Sequence, residues 1–160
     1  DQHIEKNDVG VRTGLRACSV AHVKFNDVKI PMAARLDDGN AREWVIRALC
    51  LNWMGMAAIA AGIAKGAAAA ARKYAAERYQ GGVQIEEHSA VKMLIAGAEA
   101  SIAAAEGTIN ALQEGGFTSL KAMKKCAAAK LTIMDLCARA VTDCLQVFGG
   151  YCDMEGFGME

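Results

Sequence analysis

The sequence predicts a mainly α fold: long antiparallel helices packed as an incomplete bundle, preceded by a short β segment. Three observations predict it. From residue 42 to about residue 78 a helical pattern runs almost without a break, about 55 Å at 1.5 Å of rise per residue. Two further stretches, over about 88–112 and 119–148, repeat apolar residues at three- and four-residue steps, the period of a helix with one buried face. Glycine pairs at Gly81 and Gly82, Gly115 and Gly116, and Gly149 and Gly150 close these stretches, since glycine enters the turns that stop a helix without a steric penalty.

Each element has its own justification. Residues 9–11 and 21–30 alternate apolar with polar side chains, the period of a half-buried strand. Val23 and Phe25 and, after a turn at Asn26 and Asp27, Val28 and Ile30 are the expected inward positions. Pro31 ends the run because it offers no amide to a continuing ladder. The chain is therefore divided into a β segment over 1–31, a linker over 32–41 and a helical region over 42–160. Leu36, Asp37, Asp38, Gly39 and Asn40 read as a turn, with Asn40 capping the first helix and Glu43 at its third position. In that helix Gly55, Gly62 and Gly66 lower local propensity and fall near one face, which is expected to admit close helix contact.

The second helix carries Val91, Leu94, Ile95, Ala98, Ile102 and Ala105 as its apolar stripe, with Ser89 or the polar segment before it as cap. Gln113, Glu114, Gly115 and Gly116 make the next link. The third helix begins polar at Lys121, Lys124 and Lys125 and turns apolar through Leu131, Ile133, Met134, Leu136, Val141, Leu145 and Val147. Cys137 and Cys144, seven apart, belong to one buried stripe. Three such helices, antiparallel through short links, need a further element to close a bundle.

Composition narrows the function. At 160 residues and 16.9 kDa the chain is one-domain sized. Its apolar content is rich in alanine, so the core must come from closely packed helices rather than large aromatics. Lysine plus arginine equals aspartate plus glutamate at 18 each, which removes the basic excess that a nucleic-acid footprint requires. The uncharged run 48–64 is short of a bilayer and dominated by Ala, Gly and Met, so no membrane span is expected. The six cysteines lack CxxC spacing and read as reduced, buried small hydrophobes of an intracellular protein. His3, His22 and His88 are too scattered for a metal motif, and no metal is predicted. Trp44 and Trp53 are read as packing anchors. No signal peptide is visible, and the chain starts at Asp1.

Two segments can carry chemistry. Arg78, followed by Tyr79, Gln80, Gly81 and Gly82, sets a five-donor guanidinium at a helix end, suited to a diphosphate. The same arginine would equally neutralise a helix C-terminus above an ordinary glycine cap. Gln146 offers a side-chain amide, and Gly149 and Gly150 offer backbone amides at a turn; a plain helix stop explains them as well. Glu86 and Glu87 beside His88 are assigned to the acidic start of a helix, not to catalysis.

Val9 to Arg12, Val23 to Pro31, Ala61 to Gly66, Tyr74 to Arg78 and Val141 to Tyr151, in this order and at these separations, resemble the acyl-CoA dehydrogenase family. The resemblance implies the end of a middle β domain followed by most of a C-terminal helical domain, here truncated. It implies an FAD enzyme that removes the α proton and β hydride of an acyl-CoA thioester and passes electrons to an electron-transferring flavoprotein. It also implies a homotetramer, a dimer of dimers, in the bacterial cytoplasm or mitochondrial matrix.

By the same resemblance Arg78 contacts the FAD diphosphate of a neighbouring subunit. Gln80, Gln146, Gly149 and Gly150 fall in the segments that receive that cofactor across the dimer interface. Where many members carry phenylalanine, this chain has Gly81. The catalytic glutamate of most members matches no position here, and the alternative helix position matches Asn52, whose amide has no basic form. No catalytic residue is assigned, and a catalytically silent assembly subunit is the rival expectation.

Overall fold

The computed structural model describes residues 3–12, 14–15, 17–36, 39–113 and 116–154. The chain separates into two compact units, 1–38 and 39–160.

In the first unit β1 (Ile4–Asp8) pairs antiparallel with β2 (Ala21–Phe25), Ile4 opposite Phe25 and Asp8 opposite Ala21. Asn26 extends the ladder by donating its N–H to the His3 carbonyl (2.9 Å), and its side-chain amide donates to Glu5 (2.5 Å). Asp27 then turns the chain at φ +49°, so the expected turn is present. The strand assignments change in two respects. Residues 9–11 lie past the end of β1, where Asp8 Oδ1 accepts from the Gly10 N–H (2.7 Å) and Gly10 turns at φ +91°. Val23, Phe25 and Ile30 are exposed and Val28 is half-buried. A two-stranded ribbon has no second layer within its own unit to cover an apolar face. After Pro31 a short 3-10 turn, Met32–Ala34, leads out of the ribbon.

The second unit holds α1 (Ala41–Glu77), a small hairpin of β3 (Tyr79–Gln80) and β4 (Val83–Gln84), α2 (Ser89–Gln113) and α3 (Leu120–Phe148). Asn40 caps α1 as expected: its Oδ1 accepts from the Glu43 N–H (3.4 Å) and its amide donates to the Glu43 carboxylate (2.8 Å). One backbone donor of the first turn is thus satisfied by the cap, and the side-chain bond holds the two residues together. Ser119 caps α3 by accepting from the Ala122 N–H (3.1 Å). The expected turn before α1 includes Asp37 and Asp38, and the α2–α3 link includes Glu114 and Gly115; these four lie outside the described residues.

Ion pairs from Lys65 to Glu106 (2.7 Å) and from Arg72 to Glu99 run in opposite directions along α1 and α2, so these helices are antiparallel. The pairing of Tyr74 with Phe148 at one end, and of Cys50 with Cys126 in one buried cluster at the other, makes α1 and α3 parallel. The path is up, down, up.

The larger core is mostly alanine. Ala57, Ala61, Ala64, Ala68, Ala71 and Ala75 bury one face of α1 against Ala98, Ile102 and Ala105 of α2 and Ile133, Cys137, Ala140 and Cys144 of α3. Alanine loses no side-chain entropy on burial and lets backbones approach. The α2 stripe read from the sequence is the packed one, and Cys137 and Cys144 share a buried stripe on α3. Burial pushes both thiols above their ordinary range.

Close helix contact is made by the alanine face, not by Gly55, Gly62 and Gly66, which are exposed with open space around them. The glycines sit about one turn-third away from the alanine series, on the face left to solvent. A smaller core joins Ile46, Cys50 and Cys126 to Trp53, Met54, Phe117 and Met123. Trp53 is thus a packing anchor, whereas Trp44 is exposed. Among the described residues α1 is long and apolar enough to cross a bilayer by length and composition, yet it spends its alanine face on α2 and α3.

Candidate functional site

The two glycine breaks meet at one end of the bundle, because α1 and α3 both finish there. Arg78 is the C-cap of α1. Its N–H donates to the Tyr74 carbonyl (2.9 Å) and its own carbonyl accepts from the Ile85 N–H (2.9 Å). With its backbone held on both sides, the side chain has a fixed root. The guanidinium lies 5.4 Å from the centre of the Tyr151 ring, a cation–π contact worth about 0.5–1 kcal/mol in a half-exposed setting.

Tyr151 belongs to the 3-10 turn Gly149–Asp153 that follows α3. Phe148, the last residue of α3 and buried, stacks on Tyr74 with ring centres 4.6 Å apart and planes 24° apart. Tyr74 also meets Tyr151 at 6.3 Å. The order Phe148, Tyr74, Tyr151, Arg78 forms an aromatic ladder that ends on a cation. Among the described residues no carboxylate lies within ion-pair distance of Arg78. A half-buried cation that no described carboxylate pairs is suited to an anionic ligand.

The remaining candidates are placed less directly. Gln80 stands in β3, two residues beyond Arg78, exposed, with its carbonyl accepting from His88 Nε2 (3.0 Å). Gln146 is exposed in the last turn of α3, and no hydrogen bond ties it to Gln80 among the described residues. Gly149 adopts φ +58°, ψ −135°, and among the described residues nothing lies within 4 Å of where a Cβ would be. Its N–H is spent on the Gln146 carbonyl, so it is not the open donor that the sequence suggested. Its contribution is the sharp turn and clear space beside Gly150, which is also exposed.

Cys152 sits in the same turn, half-buried. Desolvation first, then the Asp153 carboxylate that accepts its S–H bond (3.6 Å), push this thiol up and keep it neutral. Among the described residues no three His, Cys, Asp or Glu side chains stand together as metal ligands. Glu86 and Glu87 are exposed in a 3-10 turn, Ile85–Glu87, and Glu87 pairs with Lys92 (3.2 Å). Asn52 is exposed on α1.

Sequence reasoning did not single out Tyr74, Phe148 or His88 as site residues. The stacking of Tyr74 on Phe148 depends on α1 and α3 being parallel, which no local pattern announces. His88 carries a detectable signal only in hindsight of the hairpin, where it lies against Gly81.

Comparison with known proteins places the fold in a family. The family model of the acyl-CoA dehydrogenase C-terminal domain matches residues 42–160. Cyclohexane-1-carbonyl-CoA dehydrogenase of Syntrophus aciditrophicus is 30% identical over 156 residues, 92% of this chain and 41% of its own length. The caffeyl-CoA reductase-Etf complex subunit CarC of Acetobacterium woodii is 28% identical over 141 residues, covering 88% of this chain and 37% of its own. Butyryl-CoA dehydrogenase from Megasphaera elsdenii shares the fold at a TM-score of 0.85 and 24% identity, over 98% of this chain and 41% of that one. The chain spans about two-fifths of the length of these relatives. The family match over the whole helical unit, together with relatives that align through the β segment as well, establishes that this chain belongs to the acyl-CoA dehydrogenase family.

Proposed function

We propose that this chain forms the helical part of an FAD-dependent acyl-CoA dehydrogenase, and that its aromatic end holds the phosphate side of the cofactor of a neighbouring subunit. One observation carries the reading: Arg78 is rooted by its backbone, seated on Tyr151 and without a carboxylate partner among the described residues. Its planar fork suits two phosphate oxygens. Gln80 and Gln146 are exposed and offer side-chain amides, and among the described residues nothing crowds Gly149 and Gly150.

Bound FAD supplies a hydride acceptor for the β carbon of an acyl-CoA thioester. What these residues do is bind and orient. The aromatic ladder also keeps the cation away from bulk water on one face, which strengthens its pull on an anion. Among the described residues no carboxylate is assigned as the base for the α proton. An electron-transferring flavoprotein is the proposed acceptor, supported by the Etf complex named for the Acetobacterium relative. Assembly as a dimer of dimers is supported by the apolar face that α1 leaves open at Trp44, Val45, Leu49, Leu51, Ile59 and Ile63. Six free thiols suit a reducing compartment, bacterial cytoplasm or mitochondrial matrix.

The test is the visible spectrum of the full-length natural protein, wild type against Arg78→Ala. The wild type should carry flavin. Loss of charge-assisted bonds worth about 1.5–3 kcal/mol should weaken FAD binding by about tenfold to a hundredfold. A wild type that takes up no FAD overturns the reading. Asn52 favours a second reading, a silent assembly subunit, since an amide stands where one subset of the family has its glutamate. Flavin binding without oxidation of any acyl-CoA, read with an artificial electron acceptor, would select it.

A further inference from the structure

Residues 78–88 form a small closed unit whose shape is not fixed by core burial. Gly81, Gly82, Val83 and Gln84 are exposed, and Ile85 is the buried member of the segment. The hairpin pairs Tyr79 with Gln84 and Gln80 with Val83, too few rungs to hold itself in water. Gly81 and Gly82 at φ +69° and +88° make the two-residue turn that matches strand twist. The Tyr79 hydroxyl donates to the Gly82 carbonyl (2.6 Å), which ties the turn to one strand.

His88 closes the unit. Its Nε2 lies 3.0 Å from the Gln80 carbonyl; that oxygen can only accept, so Nε2 carries the proton. Its ring also fills the space where a side chain on residue 81 would begin. A Cβ there would stand 3.2 Å from Cε1 and 3.3 Å from Nε2. One side chain thus meets the hairpin at two positions, through a hydrogen bond to residue 80 and by occupying the side-chain space of residue 81. The same hairpin begins at Arg78, whose carbonyl is bonded to Ile85, three residues before His88.

We infer that His88 is a positioning residue for the cofactor's phosphate site. It acts through Gln80 and Gly81, holding the hairpin so that Arg78 and Gln80 present their donors in one fixed direction. A flat, glycine-tipped turn is otherwise free to swing, and ordering it at the moment of binding would cost affinity. The inference rests on the flavin reading above.

The test uses the full-length protein stripped of flavin and titrated with FAD, read by flavin fluorescence, with wild type, His88→Ala, His88→Gln and Arg78→Ala side by side. Glutamine is chosen because its side-chain N–H reaches about where Nε2 does. His88→Ala should raise the FAD dissociation constant about tenfold, the equivalent of 1.4 kcal/mol, and should speed amide exchange of the hairpin while the helices keep their protection. His88→Gln should restore binding to within about threefold. If His88→Ala binds FAD as the wild type does, or if His88→Gln fails as badly as alanine, the inference is overturned while the flavin reading stands on Arg78→Ala. If the wild type takes up no FAD, the flavin reading itself has failed, and this inference falls with it.

Discussion

The two glycine turns at the site end of the bundle look alike in sequence and differ in what demands the glycine. At Gly81 the backbone is left-handed and the space for a side chain is already taken by His88. At Gly149 the backbone is again one that L residues avoid, but among the described residues nothing stands within 4 Å of where a Cβ would be. The first turn is occupied and tied from within by hydrogen bonds to His88 and Tyr79. The second is open. Under the proposed flavin reading, the tied turn would aim the Arg78 cation and the open turn would leave room for the ligand.

The largest expected effect comes from the residue that joins the two turns. Phe148 is 4% exposed and stacks on Tyr74, so it couples the end of α3 to the last turns of α1. Phe148→Ala should cost about 3–5 kcal/mol by lost burial and an unfilled cavity, read as a lower denaturation midpoint of the full-length protein. The comparison breaks if the variant is as stable as wild type, because the turns would then be positioned independently.

Substituting the glycines sharpens the contrast. Gly149→Ala and Gly81→Ala should each cost about 1–3 kcal/mol through backbone strain. Only Gly81→Ala should interact with His88. In a double-mutant cycle, His88→Ala should recover part of the Gly81→Ala loss by vacating the space, whereas the effects of Gly149→Ala and His88→Ala should add. Additivity at both positions would mean that His88 does not occupy the turn.

How much of this could be read from residues depends on the range of the contact. Asn40 with Glu43 and the stripe from Val91 to Ala105 follow from spacings of three and four, and the structure has them; Ser119 as the cap of α3 comes from the structure alone. For α1, spacing shows that Gly55, Gly62 and Gly66 share a face, not which face meets a neighbour; the alanine series beside them has the same period and is the packed one. Val23 and Phe25 alternate like inward strand residues, yet alternation cannot say whether a covering layer exists in the same unit. Arg78 and Gln146 were legible as candidates, but their relation was not. It depends on α1 and α3 ending side by side, and that follows from the sense of α2 and from tertiary packing. The donor role expected of Gly149 failed for a local reason: the turn that brings it to the surface also satisfies its N–H at Gln146.

The smallest effect tests the last rung of the ladder. Tyr151 is partly exposed and offers its ring face to Arg78, so its removal should leave the fold nearly unchanged. An exposed cation–π contact of about 0.5–1 kcal/mol corresponds to a loss of about two- to fivefold in FAD affinity for Tyr151→Ala. Tyr151→Phe keeps the ring and should bind like wild type, because the attraction comes from the π face and not from the hydroxyl. If phenylalanine and alanine weaken binding equally, the hydroxyl rather than the ring serves the site, and the open turn contributes a donor of its own instead of a seat for the cation.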